Sequence, residues 1–328
     1  MNERQGALFP FLKPVSELES RVEHLSHIVN SKKLSLVDEL NIVKYQLGEL
    51  KKEVFSSLTP LQRLHLVRQV DRPTTLDYVS YILDDWIELH GDRGGADDSA
   101  LVGGLGVLNN QTIVFIGHQR GKDTKDNVVR NFGMPSPGGY RKALRLMQHA
   151  NRFNFPILTF IDTPGAWAGI EAERLGQGEA IAVNLREMFS FDVPIICTVI
   201  GEGGSGGALG IGVGDKILML EHAVYTVATP EACAAILWKD SKLSLEAAEA
   251  LKITSTDLKI LGIIDRIITE PIGGSQSNPL EAAIILKSVL IEELGSLLSM
   301  SSIERQNLRY NKFRQIGTFY EEVEHDDQ

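Results

Sequence analysis

A glycine-rich segment between two apolar runs constrains the fold of this chain more than any other feature. The stretch PIICTVIGEGGSGGALGIGVGDKILML, residues 194–220, holds eight glycines between Gly201 and Gly214. The apolar runs on either side are short and rich in β-branched residues, which is typical of buried strands. Between two such strands, this segment has room for a tight turn and a short helix.

The hexapeptide GEGGSG, residues 201–206, matches the GxGxxG pattern of a dinucleotide-binding turn, and Glu221 lies twenty residues beyond its first glycine. The crossover helix of such a unit requires about a dozen residues with its loops, whereas only ALGIGVGD remains before the next apolar run. No GxxxxGK[ST] motif occurs in the chain. A dinucleotide site is therefore only an alternative interpretation of this segment. A second alternative is that the glycines merely allow a helix to pack closely on the sheet.

A different role fits the length of the segment better. Glycines ahead of a short helix let backbone N–H groups approach a ligand oxygen, and the helix N-terminus adds partial positive charge at the same point. Preorganised donors that face developing negative charge each contribute about 2.7 to 4 kcal/mol to catalysis. We interpret the segment as an oxyanion-binding turn.

The composition excludes several classes of protein. The 328 residues carry a net charge of -10, which disfavours general binding to nucleic acids or anionic membranes. Cys197 and Cys233 lie far apart without a neighbouring Cys/His cluster, so neither a disulfide framework nor a metal site is predicted. No apolar run approaches the roughly 18 residues of a membrane span, and no signal sequence is recognisable. We expect a reducing, cytosol-like compartment.

The first sixty residues have a helical pattern. Apolar residues at spacings of three and four run from Val15 to Val29 and again from Leu36 to Val54. Capping motifs occur at Ser16–Glu19 and Ser35–Asp38, and NSKKLS between the two segments is a polar turn. These features predict an antiparallel helical hairpin. Because two helices cannot bury a core of their own, we expect the hairpin to pack on the main body or on another subunit.

The remainder predicts an α/β core. A short helix should begin at Thr59–Pro60, and another should run from about Thr75 to Gly91. TIVFIG, PILTFID, PIICTVIG and KILML are predicted strands, and Ile181, Leu185, Met188 and Phe189 share one face of a predicted helix. We divide the chain into a helical arm (1–70), a main domain (71–296) and a charged, peripheral C-terminal tail with an acidic end (297–328).

Three further motifs accompany the glycine turn: GHQRGKDTK at 117–125, RNFGMPSPGGYRKALRLM at 130–147 and FIDTPGAWAG at 160–169. Together and in this order they resemble the alpha subunits of the carboxyltransferase of multi-subunit acetyl-CoA carboxylases from bacteria and plastids. The resemblance extends over nearly the whole chain. It implies a crotonase-like α/β fold, a spiral of ββα units with an N-terminal helical hairpin, which the residue pattern alone does not distinguish from a doubly wound sheet.

The resemblance also implies a reaction and an assembly. The carboxyl group of carboxybiotin, presented on a biotin carboxyl carrier protein, moves to acetyl-CoA and gives malonyl-CoA for fatty acid biosynthesis. No cofactor is bound covalently to such a chain. A beta subunit that bears a zinc ribbon and the acyl-CoA pocket completes the active site, as an α2β2 assembly, and biotin carboxylase joins the larger complex. The expected location is the cytoplasm or the plastid stroma.

Carried over residue by residue, the resemblance makes the N–H groups of Gly206 and Gly207 the donors to the ureido oxygen of carboxybiotin. Gly165, Gly204 and Ala208 are expected to bind carboxybiotin or coenzyme A beside them. The biotin enolate formed on loss of CO2 can take the methyl proton of the acetyl group itself. Such a site therefore needs hydrogen-bond donors rather than a protein base.

A local positive segment follows the first predicted strand of the core. Between Gly117 and Arg152, eight Lys and Arg side chains accompany only Asp123 and Asp126. Arg120 and Lys122, directly after the strand, are the candidates to bind carboxylate or phosphate groups of carboxybiotin or coenzyme A. A solvated helix face is the alternative for the residues from Arg141 onward.

Two other functions remain open at this stage. A stand-alone crotonase-like acyl-CoA hydratase or hydrolase would need a carboxylate base, for which Asp162, Asp215 and Glu202 are the candidates. A non-catalytic scaffold would use the glycines only for packing. We expect His118 to be a structural histidine, and Asp162 and Asp215 to serve turns and caps.

Overall fold

The computed structural model describes residues 9–32 and 37–317 of the chain. Two long helices, α1 (Lys13–Lys32) and α2 (Val37–Ser56), form the predicted hairpin and contact each other. Lys51 Nζ lies 2.6 Å from a carboxylate oxygen of Glu19 between them. The predicted cap at Ser16 is wrong, because α1 begins three residues before it, at Lys13, directly after a 3₁₀ turn at Pro10–Leu12. The second predicted cap, at Ser35, lies outside the described residues.

The base of the hairpin packs on the main body. Helix α3 (Pro60–Val67) begins at the predicted cap, where the Thr59 hydroxyl accepts a hydrogen bond from the N–H of Gln62 and the Gln62 side chain accepts one from the N–H of Thr59. The ring of Phe55 meets the ring of His222 edge-on at 5.6 Å. The hairpin therefore uses the body to bury its apolar residues, one of the two packing modes that its size predicts, and the division at residue 70 stays a prediction.

Within the described ranges, eight strands form one mixed sheet. The strands are β1 (Asp85–Glu88), β2 (Leu101–Leu108), β3 (Gln111–His118), β4 (Ile157–Thr163), β5 (Ile195–Gly204), β6 (Lys216–Leu220), β7 (Val224–Thr226) and β8 (Arg266–Ile268). The order is β1-β2-β3-β4-β5-β6-β8, and β7 pairs with the end of β5. The first three strands are antiparallel, and every pairing from β3 onward is parallel. Every residue of β4 and β5 is buried, which explains why these strands read as continuous apolar runs.

The helix predicted from Thr75 to Gly91 is correct only in its first half. Helix α4 (Thr75–Ile82) ends where β1 begins, and β1 pairs with β2 along the edge of the sheet. The glycines of β2 permit this pairing, since an ideal Cβ at Gly104 would lie 1.9 Å from the carbonyl oxygen of Ile87. Tertiary pairing thus overrides the helical spacing. The pattern also missed β2, which is glycine-rich, and β7 and β8, which have three residues each.

Helices flank the sheet and connect its strands. After β3 come α5 (Thr124–Val129) and α6 (Pro137–Phe153); α7 (Ile170–Arg174) and α8 (Gln177–Ser190) follow β4, and α9 (Ser205–Leu209) follows β5. The later helices are α10 (Pro230–Trp238), α11 (Ser244–Ala250), α12 (Ser255–Ile260), α13 (Pro279–Leu298) and α14 (Ser302–Arg314). The predicted apolar face of α8 lies on the main core, with Met188 fully buried.

The expectation that the C-terminal segment is peripheral is wrong for α14. The guanidinium of Arg309 is fully buried and makes two hydrogen bonds of 2.8 Å to the carboxylate of Asp215. Lys312 Nζ lies 2.5 Å from a carboxylate oxygen of Asp265. A charged helix can lie against the body because its cations meet acidic partners there. The acidic end, 318–328, lies outside the described residues.

Candidate active site

The glycine turn, residues 204–211, lies at the end of β5, where the chain bends from the strand into α9. Ser205, the first helical residue, has a φ of 50°, a left-handed value that is uncommon for a residue with a side chain. A neighbouring loop crosses the turn closely: an ideal Cβ at Gly204 would lie 2.2 Å from the carbonyl oxygen of Pro164, and one at Gly207 would lie 2.4 Å from the nitrogen of Ala166. Only glycine permits this approach, which also brings Gly165 against the turn.

Two N–H groups at the start of α9 have no backbone partner among the described residues. The first four N–H groups of a helix have no acceptor within the helix. Among residues 9–32 and 37–317, no backbone carbonyl accepts a hydrogen bond from the N–H of Gly206 or Gly207. Gly206 is half-buried and, with the exposed Ser205, lines a mostly apolar cleft of about 460 Å³, whereas Gly207 and Ala208 are buried beneath it. The turn thus combines unpaired donors with a cavity, as oxyanion binding requires.

Glu202, within the glycine segment, anchors a charged cluster below the turn. Arg68 binds it with two hydrogen bonds of 2.7 and 3.0 Å, and Arg120 Nη2 lies 2.8 Å from its second oxygen. Arg120 Nε also lies 3.0 Å from the carboxylate of Asp162, which accepts a hydrogen bond from the N–H of Glu202. Burial acts to raise the pKa of Glu202, but the two guanidinium groups outweigh it and lower that pKa. At Asp162 burial prevails and raises the pKa.

The predicted acid and base candidates are therefore occupied or buried. Arginine partners engage Glu202, Asp162 and Asp215, and Asp215 also accepts a hydrogen bond of 2.7 Å from the N–H of Ile195. The assignment of Asp215 to simple turn chemistry is wrong, because its main partner is Arg309 of α14. His118 is fully buried, as a structural histidine should be. Burial lowers the pKa of His118 to about 3, so its imidazole is neutral at physiological pH.

The positive segment after β3 finds acidic partners elsewhere in the chain. Lys122 is exposed and its ammonium lies 2.5 Å from Asp77. Further along, Arg141 pairs with Asp92 at 3.1 Å and the buried Lys142 pairs with Asp97 at 2.5 Å. Tertiary pairing therefore neutralises much of the charge that the sequence alone predicts. In α6 the structure favours neither a free anion site nor a fully solvated face.

The sequence patterns did not predict three side chains that contact this region. Arg68 comes from the segment after α3, and nothing in the adjacent sequence indicates an ion pair with Glu202. The Tyr140 hydroxyl bonds the carbonyl of Gly207 in α9, and Asn184 bonds the carbonyl of Gly210, the residue directly after α9. Tyr140 belongs to the PSPGGYRK motif. That motif contributed to the family resemblance, but it did not predict a contact between Tyr140 and the glycine turn.

The model of the family described as acetyl co-enzyme A carboxylase carboxyltransferase-like matches residues 8–317. The chain belongs to this family. It is therefore a carboxyltransferase, and one that carries its unpaired glycine amides in the first turn of α9.

Two similar proteins, one from a red alga and one from a cyanobacterium, share one name. The chain is 74% identical to an acetyl-coenzyme A carboxylase carboxyl transferase subunit alpha of Gracilaria tenuistipitata var. liui, over 98% of each chain. It is 65% identical to the protein of that name from Crocosphaera subtropica, over 98% of this chain and 96% of that one. The relatives are thus matched over nearly their full length.

Two solved structures share the fold at low sequence identity. A chain of the Pseudomonas malonate decarboxylase hetero-tetramer in complex with coenzyme A is 16% identical, with a TM-score of 0.59 over 73% of this chain and 94% of that chain. The transcarboxylase 12S hexamer with methylmalonyl-coenzyme A and methylmalonic acid bound is 18% identical, with a TM-score of 0.54 over 69% of this chain and 44% of that chain. This chain spans less than half of the transcarboxylase chain. The likeness confirms the expected crotonase-like fold.

No helix in the described part of the chain is long and apolar enough to cross a membrane.

Proposed function

We propose that this chain is the alpha subunit of an acetyl-CoA carboxylase carboxyltransferase and that it binds carboxybiotin, while a beta subunit binds acetyl-CoA. The bond between the carboxyl carbon and the biotin nitrogen breaks, and that carbon bonds to the methyl carbon of acetyl-CoA. The displaced methyl proton ends on the biotin nitrogen. The product is malonyl-CoA, which supplies fatty acid biosynthesis.

The observation that carries this proposal is the pair of unpaired N–H groups in the first turn of α9, where Gly206 lines an open cleft and Gly207 is buried beside it. Transfer of the carboxyl group leaves negative charge on the ureido oxygen, and two backbone donors at that oxygen stabilise the charge without reorganisation. Each contributes about 2.7 to 4 kcal/mol to lowering the barrier. Gly204 and Gly165 allow the turn and its neighbouring loop to approach, and the small side chain of Ala208 is buried in the same helical turn.

The basic residues have different parts in this proposal. We assign Arg120 to the region beside the transferred carboxylate, where it neutralises Glu202 and Asp162, which would otherwise repel that carboxylate. Lys122 has an exposed ammonium that can exchange Asp77 for an anionic group of carboxybiotin or coenzyme A. An Arg120→Lys chain tests the first assignment, because lysine keeps the charge and loses the fork.

The chain needs no base of its own. The carboxylates of Glu202, Asp162 and Asp215 are bound by arginines, so a hydratase or hydrolase that relied on any of them would first have to break an ion pair. When the biotin itself accepts the methyl proton, none of these ion pairs has to break. The occupied carboxylates therefore support carboxyl transfer over the stand-alone alternative.

The proposed assembly is α2β2, with a zinc ribbon on the beta subunit, and it works with a biotin carboxyl carrier protein and biotin carboxylase. In support, apolar side chains of the loop and helix beside the turn are exposed, with Ile170 at 84% and Leu175 at 55%. Exposed apolar residues next to a site are typical of surfaces that a partner covers. The expected location, cytoplasm or plastid stroma, stays a prediction.

Reconstitution tests the proposal. The purified chain is mixed with acetyl-CoA and carboxybiotin, with and without a beta subunit from one of the named relatives' organisms, and malonyl-CoA is measured. We expect malonyl-CoA only when both subunits are present. Turnover of acyl-CoA by the isolated chain would favour the hydratase or hydrolase, and no turnover in either mixture would favour the scaffold.

A further inference from the structure

Three buried side chains, none of which lines the cleft, bond the backbone of the glycine turn. The hydroxyl of Tyr140, from α6, donates to the carbonyl oxygen of Gly207 at 3.0 Å. Asn184 Nδ2, from α8, donates to the carbonyl oxygen of Gly210 at 2.9 Å, and Thr159 Oγ1, from β4, donates to that of Ile211 at 2.8 Å. None of the three donor residues has exposed surface.

We propose that Tyr140, Asn184 and Thr159 are positioning residues, which hold α9 and the two residues after it against the core and so keep the N–H groups of Gly206 and Gly207 in position. This inference rests on the proposed function, since it assigns a catalytic purpose to the orientation of those groups. None of the three side chains is placed to touch the reacting atoms, so each acts through the backbone.

The turn needs such supports because its own structure is weak. Helix α9 has five residues, fewer than an isolated helix requires to be stable. Glycine further weakens a helix by its conformational freedom, and Gly206 and Gly207 are two of the five residues. The left-handed φ of Ser205 adds strain at the first position. Contacts from the surrounding elements must therefore hold the turn in place.

Tyr140 has the most direct effect. The carbonyl that it binds belongs to Gly207, whose N–H is one of the two proposed donors, and a hydrogen bond to that oxygen holds the planar peptide unit on the C-terminal side of the donor. The ring itself is held, because an ideal Cβ at Gly210 would lie 2.5 Å from a Tyr140 ring carbon. Burial raises the pKa of Tyr140, so its hydroxyl remains a donor.

Asn184 connects the supports to each other. Its Nδ2 donates to the carbonyl oxygen of Tyr140 at 3.1 Å as well as to that of Gly210. Helices α6 and α8 are thereby joined to the end of α9 through one side chain. A shift of either helix would be transmitted to the turn, which ties the donors to the rigid core.

The test compares two variants that remove one hydroxyl each with two matched controls. Tyr140→Phe and Thr159→Val remove hydroxyls that bond the turn. Tyr78→Phe and Thr198→Val remove hydroxyls from residues that are as fully buried but that bond no carbonyl of the turn. In the reconstituted complex, kcat and KM for malonyl-CoA formation are measured, together with hydrogen exchange of the amides in residues 205–211 of the free chain.

We expect kcat to fall by about tenfold in each test variant with KM unchanged, which corresponds to about 1.36 kcal/mol of transition-state stabilisation. Amide exchange in residues 205–211 should be faster in the test variants and unchanged in the controls. A normal kcat in both test variants, equal losses in the controls, or unchanged exchange would overturn the inference. An inactive wild-type complex would instead overturn the proposed function, and the inference with it.

Discussion

The contrast between two adjacent glycines gives the sharpest test of the oxyanion assignment. At Gly207 an ideal Cβ would lie 2.4 Å from both the nitrogen of Ala166 and the carbonyl carbon of Gly165, whereas ordinary contacts begin at 3.4 Å. Backbone atoms must therefore separate by about 1 Å. At Gly206 the nearest atom to an ideal Cβ is Ile181 Cδ1, at 3.9 Å, so alanine fits there.

The magnitudes follow from this geometry. A misplacement of about 1 Å costs about 10²-fold in rate, and loss of one oxyanion donor costs about 10² to 10³-fold in kcat. We therefore expect Gly207→Ala to lower kcat by about 10²-fold. Gly206→Ala keeps its N–H in place and should have nearly normal turnover, with a slightly more stable helix because alanine is the better helix former.

The assay is the initial rate of malonyl-CoA formation by the reconstituted complex, with near-ultraviolet circular dichroism to establish that each variant is folded. The reverse direction, loss of malonyl-CoA in the presence of free biotin, provides a second readout of the same transition state. A folded Gly207→Ala chain with a normal kcat would refute the assignment. So would a Gly206→Ala chain that is as impaired as Gly207→Ala.

Three other predictions concern stability and reactivity. The pKa of His118 lies at about 3, below its ordinary value of 6.5, so the unfolded chain binds an additional proton between these pH values and the unfolding free energy falls as pH decreases through that window. His118→Asn should make this decline shallower in urea titrations at several pH values; equal slopes would contradict the argument. Arg309→Met should lower the unfolding free energy by about 3 to 5 kcal/mol, because it leaves a buried carboxylate without its ion-pair partner. Arg186→Met, at an exposed pair, should lower it by less than about 1 kcal/mol. Similar losses for the two variants in denaturant titrations would show that burial does not strengthen the Arg309 pair. Burial raises the pKa of Cys197 to about 12, so a thiol reagent should modify Cys233 in the native chain and both cysteines only after unfolding, and rapid native modification of both would be inconsistent with this packing.

Local patterns predicted the parts of the fold that neighbouring residues determine. The strands around the glycine segment, the cap at Thr59 and the apolar face of α8 each depend on a few consecutive residues. The hairpin also followed from apolar spacing. The motifs at 117–125, 130–147 and 160–169 supplied the family, and through it the fold, because several linked motifs specify a family more sharply than periodicity does.

The errors occurred where a distant segment decides the outcome. The residues from Asp85 to Glu88 have helical spacing but pair with β2, because glycines there allow the backbones to approach. The Lys and Arg side chains of α6 form a positive cluster in the sequence, yet their carboxylate partners lie about fifty positions earlier in the chain. Charge counted along the sequence therefore overstates the positive potential of the folded surface.

By itself, the sequence determined that a bare turn follows a buried strand and that backbone amides are the groups it can offer. The tertiary structure alone decided which groups hold that turn and which carboxylates are neutralised. Arg309 meets Asp215 across 94 positions and Tyr140 meets Gly207 across 67. Such pairs leave no periodic trace, because their energy depends on the burial and alignment that arise only when the separate elements pack together.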